Sequence, residues 1–302
     1  MNTKESPLKT MVKRYALRIL RKLTSDEQYY QIRYYFTFKR RLNLKAPDTL
    51  MAKIIWQNLC DRAPIYTQLV DKYAVRDYVG KKIGAQYLNT LYGVYEQVED
   101  IDFNILPKSF VLKGTHGADM ILICTDKSQF DISNAKKTMR KWLSTNFYKL
   151  WGEHAYDKVP PRIICEQYLA NAHESALVDF KYHCFHGEPK HIQIDRDRFV
   201  NHTLNFYDLE WNRLPFGLWY PQAKEDLYKP KNLETMTQLA RTLAQGFKFV
   251  RVDFYNVEGH IYFGEMTFYP CNGFGVFDPV EKDFEFGSWV QLDKDNPKLQ
   301  AH

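Results

Sequence analysis

Residues 249–267 constrain this chain more than any other stretch, because they hold two β-type alternations separated by a turn that contains glycine. Phe249-Val-Arg-Val-Asp-Phe-Tyr255 and His260-Ile-Tyr-Phe-Gly-Glu-Met-Thr267 flank Asn256-Val-Glu-Gly259, the pattern of a β-hairpin. Alternation sets Arg251, Asp253 and Tyr255 on one face of the first strand, and Ile261, Phe263, Glu265 and Thr267 on one face of the second. Whether Asp253 and Glu265 share a side depends on loop parity, since a slip of one residue reverses every side chain. A three-residue Val257-Glu258-Gly259 loop, with Gly259 left-handed, pairs Asn256 with His260 and sets the two carboxylates side by side; a two- or four-residue loop separates them. Two carboxylates in one row, with no lysine among them, repel unless a cation lies between. Oxygen-only ligands suit Mg²⁺, which keeps waters and completes its shell with phosphates. The plainer reading leaves one of the two as a solvent-facing strand residue.

The other strands expected from alternation are Ser109–Lys113, Met120–Cys124, Arg162–Glu166, Asp179–Phe185 and Lys190–Asp195. Helices are expected after the Ala46-Pro47-Asp48 turn, from about Thr67 toward Gly80, and over 131–150 and 231–245. Residues 201–230, rich in Asn, Pro and Trp, fit no period and read as a long irregular segment lying over a site. Short strands alternating with helices indicate a mixed α/β or α+β chain.

Charge is distributed unevenly. Residues 1–45 carry 12 Lys and Arg against 3 Asp and Glu, a net +9, and the remaining 257 residues carry −3. Within that arm Leu8, Met11, Val12, Tyr15, Ile19 and Leu23 recur at helical spacing among Lys9, Lys13, Arg14, Arg18, Arg21 and Lys22, which makes a basic amphipathic helix. Its apolar stripe either docks on the body of the protein or, with the charges, meets an anionic membrane surface or polymer. Nucleic acid is not indicated, because no groove-reading or base-stacking motif accompanies the charge. Cys60, Cys124, Cys165, Cys184 and Cys271 form no C-x-x-C pair, which argues against a disulfide framework or a zinc ribbon and suits a reducing cytoplasm. No run approaches the roughly 18 apolar residues of a membrane-spanning helix, so a cytoplasmic protein is expected.

Three further stretches offer chemistry. Phe110-Val-Leu-Lys-Gly-Thr-His-Gly117 runs a strand into a loop where glycine backbone N–H groups and the strand-end Lys113 can meet an anion, without matching a P-loop. Asp71-Lys-Tyr-Ala-Val-Arg76 places Lys72 and Arg76 one helical turn apart, like charges that an anion or an acidic neighbour would satisfy. Arg162-Ile-Ile-Cys-Glu-Gln-Tyr-Leu169 is an apolar strand ending in a carboxylate and a short link.

In this order and spacing these elements resemble the ATP-grasp superfamily, and within it the TupA-like branch associated with teichuronopeptide and polysaccharide biosynthesis. The resemblance runs from about Leu42 to Trp289 and includes Asp61-Arg62, Asp71–Arg76, Phe110–Lys113, Asp179-Phe-Lys-Tyr182, Asp197-Arg-Phe-Val-Asn-His202, Asn205-Phe-Tyr-Asp208, Arg251-Val-Asp253 and Gly264-Glu-Met-Thr-Phe268. It implies an α+β ATP-grasp fold with ATP held between two lobes, residues 67–166 and 167–290, after a helical basic region over 1–66 and before a tail over 291–302. It further implies that Lys72, Lys113, His116 and Lys181 meet the nucleotide and that Glu166, Tyr168 and Leu169 receive adenine. Asp253 and Glu265, with Thr267 standing where many members carry Asn, would hold Mg²⁺. Arg251 and Arg198 would serve the reacting carboxylate, and Arg196, Asn201 and His202 the substrate. The implied reaction joins a carboxylate, plausibly a uronic acid or an acidic amino acid, to an amine through an acyl phosphate. A rival reading takes Asp195-Arg196-Asp197 as the D-x-D of a metal-dependent glycosyltransferase. His183, His186 and His191, split between strand faces, read as packed or surface side chains rather than metal ligands, and Trp211 and Trp219 as core or lid packing.

Overall fold

The computed structural model describes residues 7–170, 177–196 and 202–292. Five helices come first: α1 (Pro7–Leu23), α2 (Asp26–Phe38), α3 (Leu50–Cys60), α4 (Pro64–Val70) and α5 (Val75–Lys82). Ser25 and Gln28 form a reciprocal capping box at the start of α2, and Thr49 caps α3. The single helix expected from Thr67 to Gly80 is broken, because the Asp71 carboxylate accepts hydrogen bonds from the backbone N–H of Tyr73 (2.9 Å) and Ala74 (3.3 Å). Such local bonding competes with the helical ladder. The break frees Lys72 to leave the helix path and reach the Gly117 carbonyl at 2.5 Å.

The strands are β1 (Leu91–Tyr95), β2 (Phe110–Gly114), β3 (Ile121–Cys124), β4 (Ile163–Gln167), β5 (Asp179–Phe185), β6 (Glu188–Arg196), β7 (Thr203–Tyr207), β8 (Arg213–Leu214), β9 (Gly217–Leu218), β10 (Phe249–Val257), β11 (His260–Thr267) and β12 (Phe277–Asp278). The helices among and after them are α6 (Ile132–Leu143), α7 (Phe147–Trp151), α8 (Leu233–Ala244) and α9 (Glu281–Trp289). Two antiparallel sheets result, ordered β1-β4-β2-β3 and β11-β10-β5-β6-β7-β8, with β9 and β12 as a separate pair. Residues 201–230 are therefore not irregular throughout. β7 extends the large sheet, and its alternation is masked in sequence by Asn205, a buried amide whose oxygen accepts the Ala223 N–H. Trp211 lies flat on Tyr207 and donates its indole N–H to the Leu227 carbonyl, so it serves packing.

The large sheet has two chemically distinct faces. Val250, Val252, Phe254, Phe180, Tyr182, Ile192 and Ile194 are buried in one core with Leu233, Met236, Ala240 and Leu243 of α8. The residues between them form cross-strand rows: Thr267, Arg251, His183 and His191; then Glu265, Asp253, Lys181 and Gln193; then Tyr255, Asp179 and Asp195. The helix-facing side alone accounts for the apolar half of each strand, so the polar half is free to build a site.

The hairpin turn differs from the expected one. Val257 pairs with His260 across a two-residue Glu258-Gly259 turn in which both residues are left-handed. That loop alone would part the carboxylates, yet Asp253 pairs directly with Glu265, because Gly264 is an extra residue between the Phe254–Phe263 and Asp253–Glu265 pairs. A Cβ on Gly264 would lie 3.0 Å from the Asp253 carbonyl oxygen. Replacing Gly264 with Val should therefore strain the bulge and lower stability by roughly 1–3 kcal/mol, read as a fall in urea midpoint at unchanged slope.

Candidate active site

Between the two sheets lies a cavity of ≈ 460 Å³, walled by Lys113, Glu166, Tyr168 and Leu169 on one side and by Asp195, Asp253 and Glu265 on the other, with Lys72 at the α4–α5 break. The size falls within the range usual for small-molecule sites, roughly 300–1,000 Å³. Val75, Leu88, Val111, Met120, Ile121, Ile123 and Phe263 give it an apolar half.

On the small sheet, Glu166 is buried and shared by two cations, Lys113 Nζ at 2.7 Å and Arg76 Nη1 at 3.0 Å. Burial opposes its charge, but Lys113 and Arg76 outweigh that effect and hold its carboxyl below the usual range. Arg76 also grips the Asn89 side chain and carbonyl, which locks its guanidinium beneath Glu166. Burial lowers the pKa of Lys72, whose surroundings include Glu265, Lys113 and Glu166.

On the large sheet, the Arg251 guanidinium stands between the two carboxylates. It meets Asp253 through two parallel bonds of 2.7 Å, Glu265 Oε1 at 2.9 Å and the Thr267 hydroxyl at 3.1 Å. Thr267 in turn donates to Glu265 at 3.0 Å. Burial pushes the Asp253 carboxyl up to about 6 although Arg251 opposes the shift. Glu265 also meets the cost of burial, yet Arg251 and Lys72 draw it down to about 2. Beside them the buried Lys181 is paired with Asp195, which also accepts from Gln193 Nε2 at 3.0 Å and bonds His202 Nε2 at 2.7 Å.

Of the residues expected at the site, Lys72, Lys113, Glu166, Tyr168, Leu169, Asp253 and Glu265 line the cavity. Arg251, Thr267, Lys181 and His202 stand behind this lining and bond to it. His116 is not brought to the cavity: it is buried, with Nε2 bonded to the Trp142 carbonyl at 2.8 Å, and so anchors the loop after β2. Arg196 turns to the Glu225 carbonyl at 3.2 Å. Arg198, Asn201 and Asp197 lie outside the described residues. Asp195 is already engaged by Lys181, Gln193 and His202, an arrangement unlike an open D-x-D ligand. His183 and His191 are buried, their rings 4.7 Å apart, among Phe206, Phe249 and Phe286. Asn89 carried no signal in the sequence, whereas Arg76 was marked by its like-charged spacing to Lys72.

The family model described as TupA-like ATP-grasp matches residues 52–291. The chain belongs to that family. Among solved structures it is similar to a D-alanine–D-alanine ligase from Bacillus anthracis complexed with ATP, at 16% identity, covering 66% of this chain and 55% of that one, with a TM-score of 0.41. It is also similar to phosphoribosylamine–glycine ligase from Thermotoga maritima, at 14% identity over 68% of this chain and 48% of that one, TM-score 0.39. A third is N5-carboxyaminoimidazole synthase from Aspergillus clavatus, at 11% identity over 73% and 46%, TM-score 0.38. The chain spans about half the length of these proteins. No curated protein matches it.

In this TupA-like ATP-grasp chain the oxygen-only pair Asp253 and Glu265 fits a divalent ion of the Mg²⁺ type. Among the described residues no group of three or more His, Cys, Asp or Glu is gathered for a metal, so two carboxylates would leave the rest of the shell to phosphate and water. Arg251 sets a positive charge between the same two carboxylates. Arg251→Ala should lower stability by about 3–5 kcal/mol, the usual loss when a buried ion pair is left with one partner. Millimolar MgCl₂ should restore more of the melting temperature in that variant than it adds to the wild type.

Proposed function

We propose that the chain is an ATP-dependent carboxylate–amine ligase that forms an amide through an acyl phosphate. The observation that carries this reading is the Asp253–Glu265 pair with Arg251 between them, facing Lys72 and Lys113 across one cavity. In this reading the small sheet, within residues 67–166, and the large sheet, within 167–290, belong to the two lobes that close on ATP.

Phosphoryl transfer depends mainly on positioning and charge neutralisation. Lys113 and Lys72 supply positive charge to the triphosphate, and the strand-end link Gln167 to Leu169 offers backbone groups to the adenine edge beside the apolar half of the cavity. Asp253 and Glu265 would hold a divalent ion, which would supply neutralisation of the phosphate oxygens. Arg251, once it yields Glu265, keeps its fork for the substrate carboxylate and for the oxyanion that develops at the acyl carbon. Lys181 is held in place by its pairing with Asp195, and His202 steadies Asp195 from the other side.

The family supports a role in making a cell-surface or capsular polysaccharide, with an amino acid or amine joined to a uronic acid or an acidic amino acid. Location is part of the reading. Among the described residues no helix is long and apolar enough to cross a membrane. On α1, however, Val12, Tyr15, Ile19 and Leu23 are 58%, 67%, 42% and 78% exposed, so this stripe does not dock on the body. Leu17 and Leu20 pack inward instead, and the side chains of Leu8 and Met11 lie outside the description. An outward apolar stripe flanked by the exposed Arg18 and Lys22 suits the anionic inner face of a membrane, where a lipid-linked acceptor would be found.

Release of ADP, screened across uronic acids, acidic amino acids and amines, tests the chemistry. Asp253→Asn and Glu265→Gln should each reduce it by about 100-fold or more, in line with the loss of transition-state charge stabilisation; turnover of a sugar nucleotide without ADP release would defeat the reading. Flotation with phosphatidylglycerol vesicles tests location. Tyr15→Glu together with Ile19→Glu should abolish co-flotation, and equal flotation of variant and wild type would remove α1 as the attachment surface.

A further inference from the structure

The break between α4 and α5 sends two cations to opposite ends of the cavity. Lys72 turns to the Gly117 carbonyl in the loop after β2, and Arg76 turns to the end of β4. Arg76 sits in the first turn of α5, where a cation opposes the helix dipole, so its place is set by its partners rather than by the helix. Those partners are Asn89, just before β1, and the buried carboxylate of Glu166 on β4.

Glu166 holds its two cations in different ways. Arg76 Nη1 donates to the Asn89 side-chain oxygen and to Glu166 Oε1, each at 3.0 Å, and Nη2 donates to the Asn89 carbonyl at 2.7 Å. Both hydrogens of Nη1 are thereby used, and the planar fork is pinned to Asn89 through side chain and backbone alike. Lys113 meets the other oxygen of the same carboxylate, Oε2, at 2.7 Å, and Glu166 is its one bonded partner among the described residues. An ammonium on a flexible stem can swing away with its charge, whereas a guanidinium fork held at several points cannot. Glu166 therefore has one fixed cation and one movable cation. Arg76, Asn89, Lys113 and Glu166 all border the cavity.

This division has an energetic consequence. A buried carboxylate that loses its only cation is left as an uncompensated charge, which is strongly unfavourable. With Lys113 as sole partner, Glu166 would hold the lysine back from any incoming anion. With Arg76 in place, Glu166 keeps a charge-assisted hydrogen bond after Lys113 departs, so the lysine is released at lower cost. The backbone cannot follow the lysine either. The Gln167 N–H donates to the Thr90 carbonyl at 2.9 Å and the Thr90 hydroxyl to the Gln167 side-chain oxygen at 3.1 Å, which ties the residue after Glu166 to the residue after Asn89.

We propose that Arg76 is a positioning residue for nucleotide binding: anchored by Asn89, it keeps Glu166 in place and neutralised so that Lys113 can pass from Glu166 to a phosphate. The inference rests on the ATP part of the ligase reading and adds a residue to it. Arg76 acts through Glu166 and does not take the phosphate itself, because its fork is already committed to Asn89 and Glu166.

Calorimetric titration of Mg·ADP into wild type, Arg76→Gln, Glu166→Gln and the double variant tests this without requiring turnover. Arg76→Gln removes the charge and retains an amide that can bond Asn89. It should weaken Mg·ADP binding by about tenfold or more, the loss expected when a hydrogen bond between charged groups is removed. In the Glu166→Gln background the same change should weaken binding by less than about threefold, because no carboxylate remains to hold Lys113 back. Arg76→Lys, which keeps the charge without the fork, should recover part of the binding, and it carries the same cycle if Arg76→Gln does not fold. A purely structural arginine, or one that contacts phosphate directly, gives equal losses in the two backgrounds, and that result overturns the proposal, as does unchanged binding by Arg76→Gln. A wild type that binds no Mg·ADP overturns it together with the nucleotide reading, whereas binding with equal losses leaves that reading standing and removes this one.

Discussion

Two negative charges on neighbouring strands need a cation between them, and the large sheet is arranged around that requirement. The Gly264 bulge brings Glu265 opposite Asp253, and alternation places Arg251 one step along the same face. The guanidinium suits this position because its planar fork makes two parallel bonds to Asp253 and still reaches Glu265 and Thr267. A lysine would offer one point of charge and leave a carboxylate oxygen bare. The α8 side supplies the burial that makes the arrangement rigid, since every inward residue on β10 packs into that core. Stability on one face therefore permits concentrated charge on the other.

The same logic explains the charge balance of the cavity. Its cations already have partners: Lys113 and Arg76 share Glu166, Lys181 has Asp195, and Lys72 leans on a backbone carbonyl. An anion entering such a site exchanges partners rather than meeting bare charge, so the lysines never bear the cost of burial unpaired.

Much of this was legible in the residues. The alternation of 249–255 and 260–267 located the hairpin, and Lys72, Lys113, Glu166, Asp253 and Glu265, named from the resemblance, line one cavity. What failed was local and had physical causes. Loop parity was misjudged because a tight turn plus a bulge gives the same facing as a three-residue turn. The α4–α5 break escaped notice because an aspartate that captures backbone N–H groups looks like any helical aspartate in sequence. β7 was hidden by an amide at a core position, and His116 looked like a loop ligand until its bond to Trp142 appeared.

The N-terminal helices thereby acquire a second role. Tyr30 of α2 lies before the family-matched segment, yet its hydroxyl joins Asn58 of α3 to Asn272 beyond β11, and the two asparagines hold the Gly152 and Trp151 carbonyls. Ser25, Gln28 and the buried Tyr29, Tyr30 and Tyr34 fix α2 against the body, while the exposed stripe of α1 points away from it. The basic region is thus divided by function along its length. Its first helix turns an apolar stripe outward, while its second ties α3 to the segment after β11, because the Tyr30 hydroxyl bonds both Asn58 and Asn272.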